Sequence, residues 1–246
     1  MKIVIIYGSP RKGNSYKATQ IFKDEMNKLS EIEFVEYFLP KDMPNFCRGC
    51  NLCFVAGEDK CPDYNYTKPI LEQMLLADAL IFTTPVYVLQ TSGCMKSFLD
   101  HFGFLFIVHR PRPEMFRKKA FVIASTVGAG IKDAIKTIAT SLKFWGVNRV
   151  YSFGFATFGE DWDNMNIKKR EKIISRIRKE ARKFYQEVAS GKIHYPYLYI
   201  LLMFYIRKMI MKRFERESSL DRRYWTEKGW FTGENSPFRK LGGKAP

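Results

Sequence analysis

The sequence predicts an α/β protein built on a doubly wound parallel sheet. Two observations lead to this prediction: short apolar runs rich in β-branched residues alternate with helical patterns, and a loop containing glycine and serine follows the first run, at residues 8–15. Runs that are apolar throughout are typical of strands buried on both faces, and helical crossovers make successive strands parallel. Five strands fit most simply the order 2-1-3-4-5.

The strands are predicted where β-branched and aromatic residues cluster. The five runs are 2–7 (KIVIIY), 33–38 (EFVEYF), 79–84 (ALIFTT), 119–125 (KAFVIAS) and 149–155 (RVYSFGF).

Helical patterns fill the intervals between the strands. They lie near 15–29, 67–76, 92–103, 131–145 and 167–189. We expect Asn14 or Ser15 to cap the first helix and Asn164 or Asn166 to cap the last, because their side-chain oxygens accept from the free N–H groups of a first turn. The alternation stops near residue 190. We therefore predict one domain over 1–190 and an extension over 191–246.

The loop "GSPRKGNS" (8–15) joins the first strand to the first helix, where backbone N–H groups and the helix dipole favour an anion. Its two glycines have the spacing of a P-loop, but asparagine and serine follow where a P-loop has lysine and Ser/Thr, and the G-x-G-x-x-G pattern is absent. The remaining polar groups, on Ser9, Arg11, Asn14 and Ser15, suit a single terminal phosphate without magnesium. An ordinary capped turn is the alternative.

Two further loops follow strands 3 and 4 at the same edge of the predicted sheet. Pro85, Val86 and Tyr87 can form an apolar wall for a flat aromatic ring, with the proline fixing the turn. The loop "TVGAG", with Thr126 and Gly128, lets backbone approach a ring closely. Ligands of open α/β sheets bind at this edge, between strands 1 and 3. Together the three loops indicate FMN.

Four cysteines lie in "FCRGCNLCFVAGEDKCP" (46–62), spaced C-x2-C-x2-C-x7-C and followed by proline. They are Cys47, Cys50, Cys53 and Cys61. This spacing is typical of the start of a ferredoxin-type [4Fe-4S] run, and Gly57 lets the chain return the fourth thiolate to the same cluster. Zinc and free thiols remain alternatives, although zinc usually takes two separated C-x2-C pairs. The fifth cysteine, Cys94, is expected to pack in apolar surroundings.

The phosphate loop, the stretch "ADALIFTTPVYVLQTSGCMKSFLDHF" and the cysteine run resemble the NADPH-dependent FMN reductase family of flavodoxin-like proteins, and within it the iron–sulfur flavoprotein branch. The resemblance covers about residues 1–190. It implies FMN with its phosphate on the residues of the first loop and its ring beside Pro85, and it supports the cluster. Family members commonly carry arginine after the aspartate of "KSFLD"; here His101 follows Asp100, and we expect this histidine on the helix surface.

The chain is strongly basic, with 41 Lys and Arg against 25 Asp and Glu, a net charge of +16. Residues 195–214 contain an apolar run too short to span a bilayer, which needs about 20 residues. Continued by basic residues, this segment could lie on an anionic membrane. We favour an arm that packs on protein, anchored by Tyr224, Trp225 and Trp230. No nucleic-acid recognition module is visible.

The sequence thus predicts a cytoplasmic homo-oligomer, a dimer or tetramer, in which FMN and a [4Fe-4S] cluster move electrons between NAD(P)H or ferredoxin and an acceptor. The chain opens directly on a strand-like run, which favours the reducing cytoplasm, where disulfides are rare. A cluster-free FMN or quinone reductase is one alternative. A redox-sensing protein at a membrane, in which the cluster controls a partner, is the other. No catalytic proton carrier can be assigned from the sequence.

Overall fold

A computed structural model describes residues 1–232 and 236–238. The fold is built on a sheet of six strands. Five of the strands are parallel. The strands are β1 (Lys2–Tyr7), β2 (Glu33–Phe38), β3 (Ala79–Tyr87), β4 (Gln90–Thr91), β5 (Lys119–Thr126) and β6 (Arg149–Ala156).

The parallel strands lie side by side in the order β2-β1-β3-β5-β6. The five parallel strands have the predicted order, and all of them lie where the sequence predicts a strand. The sheet differs from the prediction by one additional strand, β4, which pairs antiparallel with the end of β3 through Val86 opposite Thr91. Two residues are too few to give a periodic pattern, so the sequence analysis did not find this strand.

Eight α-helices connect and extend the strands within the described residues. They are α1 (Asn14–Asn27), α2 (Leu52–Val55), α3 (Tyr64–Leu76), α4 (Gly93–His101), α5 (Ile131–Phe144), α6 (Ile167–Ala189), α7 (Leu198–Phe214) and α8 (Leu220–Glu227). Asn166 caps α6 as expected, accepting from the N–H of Lys169. The expected cap on α1 is wrong: the cap position is Gly13, and Asn14 and Ser15 are the first two helical residues.

The helices cover both faces of the sheet, as a doubly wound fold requires. On one face α1 and α6 pack their apolar stripes, represented by Phe22 and Phe184, against odd-numbered positions of β1 such as Ile5. On the other face α3, α4 and α5 pack against the alternate positions of β1, such as Val4 and Ile6. Each central strand is therefore buried on both sides, which explains its continuous apolar sequence.

The C-terminal segment forms a third apolar cluster. Phe204 of α7 stacks on Trp225 of α8 with ring centroids 4.4 Å apart, and Trp230 packs edge-on against both. This cluster rests on Ile107 and Phe116, from the chain between α4 and β5. The expectation that Tyr224, Trp225 and Trp230 are buried is confirmed. None of the described helices is both long enough and apolar enough to cross a membrane.

Candidate functional site

A cleft of about 190 Å³ opens at the carboxyl edge of the sheet. We call it the edge cleft. Its walls come from the loops that follow β1, β3, β5 and β6. Because parallel strands end at the same edge, four loops distant in sequence converge there, at the position where open α/β sheets bind ligands.

The floor of the edge cleft is the loop between β1 and α1. Helix α1 starts at Asn14, no side chain within the described residues caps it, and its first turn holds no acidic residue. Gly13, Asn14 and Ser15 line the cleft, so the uncapped N–H groups and the positive end of the helix dipole lie at its wall, and Asp161 is the acidic residue that lines the cleft with them. Ser9 shapes the loop by accepting from the N–H of Arg11 at 3.2 Å. A helix start of this kind favours an anion.

Side chains of the first helical turn fasten this loop to the neighbouring strands. Ser15 Oγ lies 2.6 Å from Ser125 Oγ at the end of β5, and Asn14 Nδ2 donates to the Glu160 carbonyl at 3.3 Å, beyond β6. These contacts take the place of the predicted capping bonds. They fix the loop because they bridge elements that the sheet already positions.

One wall of the edge cleft is the extended end of β3, where Pro85 and Val86 are half-buried and Tyr87 is exposed at the rim. Thr84 holds this wall in place: its hydroxyl accepts from the N–H of Ser92 at 3.2 Å and donates to the Pro85 carbonyl at 2.9 Å. Ser92 in turn donates to the Gly8 carbonyl at 2.5 Å. Hydrogen bonds therefore join this wall to the loop between β1 and α1.

Gly8 is required by the same close packing. A Cβ at this position would lie 3.0 Å from the Ser92 hydroxyl, the Met95 methyl and the Thr83 carbonyl. A side chain at position 8 would therefore be crowded and would require small shifts of these neighbours.

The edge cleft brings together eight of the nine cofactor-binding residues predicted from the sequence. They are Ser9, Arg11, Asn14, Ser15, Pro85, Val86, Tyr87 and Thr126. Gly128 is not among the lining residues; its N–H donates to the Thr126 hydroxyl at 3.2 Å and so shapes the loop behind the cleft.

Sequence analysis missed several lining residues, among them Tyr7, Tyr16, Thr157 and Asp161. Tyr7 ends β1 and stacks on Phe38 with ring centroids 4.4 Å apart. Burial, together with the nearby Glu36 carboxylate, raises the pKa of the Tyr7 phenol, so it stays protonated. The sequence could have indicated Tyr7 and Thr157 as lining residues, because Tyr7 ends a predicted strand and Thr157 lies just beyond the end of another.

The cysteine loop (residues 46–62) follows β2 in the chain and packs beside α4, where the Cys47 N–H donates to Ser97 Oγ at 3.3 Å. Cys47 and Cys50 are exposed, whereas Cys53 and Cys61 are half-buried. The tight path uses positive φ values at Gly49 (64°), Asn51 (61°) and Gly57 (118°). Among the described residues, no group of three or more His, Cys, Asp or Glu side chains converges on a point where a single metal ion would sit.

The four loop thiols are soft donors, the ligand type that iron–sulfur clusters use. Burial raises the pKa of Cys53 to about 11, and the charges of Cys61, Cys47 and Cys50 add to this effect. A four-iron cluster distributes four thiolates over separate irons, so its sulfur ligands do not need to converge on one point.

Arg110 ties the cysteine loop to the C-terminal segment. This guanidinium is buried; it donates to the Cys53 carbonyl through Nη2 and to the Asp221 carboxylate through Nη1, and its Nε lies 3.5 Å from Glu58 Oε2. Asp221, in α8, also accepts from His109 Nδ1 at 2.8 Å.

The ionisation of Asp221 reflects these partners. Burial acts to raise the pKa of Asp221, but the hydrogen bond from His109 and the charge of Arg110 outweigh burial and lower it. The carboxylate is therefore ionised at neutral pH and neutralises Arg110. Sequence analysis did not find this network, because its partners are 111 residues apart.

Two further expectations are corrected here. His101 is buried instead of exposed: one ring nitrogen lies 3.2 Å from the Ser97 carbonyl and the other 3.1 Å from Asp63 Oδ2. Asp63 follows the cysteine loop in the chain. Its hydrogen bond with His101 keeps the buried ring nitrogen from being left unpaired. Cys94 is only half-buried, and its thiol donates to the Gly8 carbonyl at 3.1 Å, so its surroundings are not purely apolar.

The sequence is similar to that of known flavoproteins. The sequence profile of a family described as NADPH-dependent FMN reductase matches residues 1–158. An iron-sulfur flavoprotein of Archaeoglobus fulgidus is 27% identical over 234 residues, covering 94% of this chain and 100% of its own length. An iron-sulfur flavoprotein of Methanocaldococcus jannaschii is 36% identical over 103 residues, 41% of this chain and 51% of that protein.

Solved structures resemble the fold. An FMN-dependent NADH-azoreductase from Bacillus anthracis, determined in complex with FMN, aligns with a TM-score of 0.60 at 13% identity, covering 75% of this chain and 100% of that one. An NAD(P)H:quinone oxidoreductase from Methanothermobacter marburgensis aligns with a TM-score of 0.59 at 17% identity, covering 75% and 96%. At these identities the likeness concerns the fold alone.

Proposed function

Because the chain belongs to the NADPH-dependent FMN reductase family, and is thus an NAD(P)H-dependent FMN-containing oxidoreductase, we propose that it is an iron–sulfur flavoprotein. In this proposal FMN and a [4Fe-4S] cluster move electrons between NAD(P)H or ferredoxin and an acceptor, in the cytoplasm. When bound, FMN takes up a hydride as two electrons and can release them singly, and a [4Fe-4S] centre takes single electrons.

The observation that carries the flavin part is the uncapped start of α1 facing the edge cleft. We propose that its N–H groups, with Ser9, Asn14 and Ser15, hold the FMN phosphate, and that Arg11 adds the positive charge. Pro85 and Val86 of the β3 wall, with Tyr87, Thr126 and Gly128, would position the ring and keep water from one side of it. These groups bind and orient; none of them is proposed to carry a proton.

The cluster part is carried by the shared position of four thiols in one loop. We propose that Cys47, Cys50, Cys53 and Cys61 ligate one cluster and that Cys94 does not. Soft thiolates without a histidine among them suit iron–sulfur chemistry better than a hard cation. Arg110 would hold the loop from behind, since it binds the Cys53 carbonyl rather than a thiol.

The test is anaerobic reconstitution of the parent and of five single Cys→Ser variants, with iron, sulfide, zinc and FMN measured per chain. We expect four irons and one FMN in the parent. Serine at any of the four loop cysteines should remove the iron and leave FMN in place. Cys94→Ser is the matched control and should keep both. Normal iron in Cys61→Ser would contradict the four-ligand set, and stoichiometric zinc without iron in the parent would overturn the cluster.

A second candidate, a cluster-free FMN or quinone reductase, is favoured by one observation. Cys47 and Cys50 are exposed, whereas sites that tune a cluster usually shield its ligands from water. A parent protein that turns over NAD(P)H with a quinone, holds one FMN and takes up no iron after reconstitution would select this candidate.

A further inference from the structure

Residues 107–112, between α4 and β5, lie in contact with both the cysteine loop and the C-terminal segment. On one side Trp225 Nε1, in α8, donates to the His109 carbonyl at 2.6 Å. On the other side the His109 ring packs against Phe54 of the cysteine loop, with ring centroids 4.6 Å apart. We call residues 107–112 the linking segment.

Arg110 is the residue of the linking segment whose side chain binds both sides. Its guanidinium is buried and donates through Nη2 to the Cys53 carbonyl and through Nη1 to the Asp221 carboxylate. Its Nε lies 3.5 Å from Glu58 Oε2. Cys53 and Glu58 lie on opposite sides of Gly57, where φ is 118° and the loop turns back. One guanidinium therefore holds the cysteine loop at two points, before and after this turn.

The shape of a guanidinium makes these contacts a constraint on distance. Its N–H groups point in fixed directions within one plane, whereas a lysine ammonium is a point charge on a flexible stem. Glu58 starts a short 3-10 turn over Glu58–Lys60, and its carbonyl accepts from the N–H of Cys61 at 3.2 Å. Fixing Cys53 and Glu58 on one guanidinium therefore also fixes Cys61 relative to Cys53.

We propose that Arg110 is a positioning residue of the cluster site: it sets the separation of the third and fourth thiols of the loop while Asp221 of the C-terminal segment neutralises its charge. The inference rests on the proposed cluster, whose ligands these thiols are. A buried guanidinium that loses its counter-charge is strongly unfavourable. Glu58 supplies only part of that charge, because it also accepts from Arg112 Nη2. The arrangement of the loop thus depends on the docking of α8.

A purely structural role, in which Arg110 only fastens the C-terminal segment, accounts for less of the geometry. That segment is also fastened by the Tyr224 hydroxyl, which donates to the Pro111 carbonyl at 2.7 Å, and by the third apolar cluster. The bond from Arg110 to the Cys53 carbonyl adds nothing to this attachment and acts on the loop alone.

The first test uses the full chain with FMN bound and no iron. Mass spectrometry measures the rate at which iodoacetamide alkylates each cysteine. Arg110→Lys keeps the charge and loses the planar fork, whereas Asp221→Asn removes the counter-charge. In both variants we expect Cys53 to react about tenfold faster than in the parent, the change that loss of one hydrogen bond to a charged group produces. Cys94 is the internal reference and should react at the parent's rate.

Reconstitution with iron and sulfide then tests the effect on the cluster. With an excess of chelator, Arg110→Lys should lose iron at least about tenfold faster than the parent, as expected when a group behind a metal ligand is changed. The electron paramagnetic resonance spectrum of the reduced protein should also change, because the ligand separation changes. The matched control is Arg182→Lys, whose arginine pairs with Glu25 of α1 and should leave every measurement unchanged. FMN content shows that each variant is folded.

The outcomes separate this inference from the proposed function. A parent that takes up no iron would overturn the cluster, and the alkylation rates would still decide whether Arg110 positions the loop. Alkylation of Cys53 at the same rate in the parent, Arg110→Lys and Asp221→Asn would overturn the role of Arg110. So would faster alkylation in Asp221→Asn with an unchanged rate in Arg110→Lys, because charge alone would then hold the loop.

Discussion

Different interactions hold the edge cleft and the cysteine loop in place. The cleft is built from short loops directly attached to strand ends, and contacts such as Ser92 to Gly8 join those loops to the core. The cysteine loop is longer and is held from behind by Arg110, whose charge is neutralised by Asp221 of the C-terminal segment.

This difference shows that one fold can carry two sites that are held in different ways. The loops of the cleft are joined to the strand ends by short-range side-chain hydrogen bonds, such as those of Thr84 and Ser92. The position of the cysteine loop depends on a buried ion pair that connects parts of the chain far apart in sequence. Changes in the C-terminal segment should therefore affect the cysteine loop and leave the cleft intact.

The largest effect is expected for Asp221→Asn. This change leaves the buried guanidinium of Arg110 without its main counter-charge, and removing one partner of a buried pair typically costs about 3–5 kcal/mol. We expect the low end of that range, because Glu58 remains 3.5 Å from Arg110 Nε. The free energy of unfolding from guanidinium denaturation measures the loss, and FMN content at low denaturant should be unchanged.

Glu217→Gln is the matched control for this comparison. Glu217 also pairs with an arginine of the C-terminal segment, Arg222 at 3.2 Å, but its side chain is exposed, so little stability should be lost. Equal destabilisation by the two substitutions would show that the Arg110–Asp221 pair has no special role in holding the loop.

The next effect concerns the edge cleft. In the double variant Ser9→Ala with Asn14→Ala, FMN should bind more weakly by on the order of 1.5–3 kcal/mol, the cost of one hydrogen bond to a charged group, because the Asn14 amide also donates to the Glu160 carbonyl. Fluorescence quenching of FMN during titration measures the dissociation constant, and iron content of the reconstituted protein should not change. Ser190→Ala, an exposed serine beyond the cleft, is the control. An unchanged FMN affinity, or magnesium-dependent ATP binding by the parent, would exclude the proposed phosphate site.

The smallest effect is a pH dependence of the Arg110–Asp221 pair. The pKa of Asp221 is lowered in the folded chain from an ordinary value of 3.8. Its contribution to stability is therefore fully present well above pH 3.8 and is lost as the pH falls below that value, toward the folded pKa. The stability difference between the parent and Asp221→Asn should shrink over this range, because a protonated aspartate resembles asparagine. Unfolding measured at pH 6 and pH 3 checks this, and a constant difference would contradict it.

The sequence predicted the strands well because each central strand is buried on both faces. Burial on both faces leaves a continuous apolar run, such as Ile3 to Ile6, that is readable without the structure. Since parallel strands share a carboxyl edge, the loops after β1, β3 and β5 could be placed together from their order alone. The spacing of the four cysteines is likewise local, so the sequence identified them as one ligand set.

The tertiary structure decided which distant side chains meet. His101 was expected on the surface because a single histidine at a helix end carries no sign of burial in the sequence. Its burial depends on the hydrogen bond between its ring and the Asp63 carboxylate. Asn14 and Ser15 have the residue types of helix caps, but contacts with Glu160 and Ser125 use their side chains instead. The local sequence pattern predicts the periodicity and burial of each helix or strand. Which polar groups pair depends on how the helices and strands pack against one another. For that reason Arg110 and Asp221, 111 residues apart, could be matched only in the folded chain.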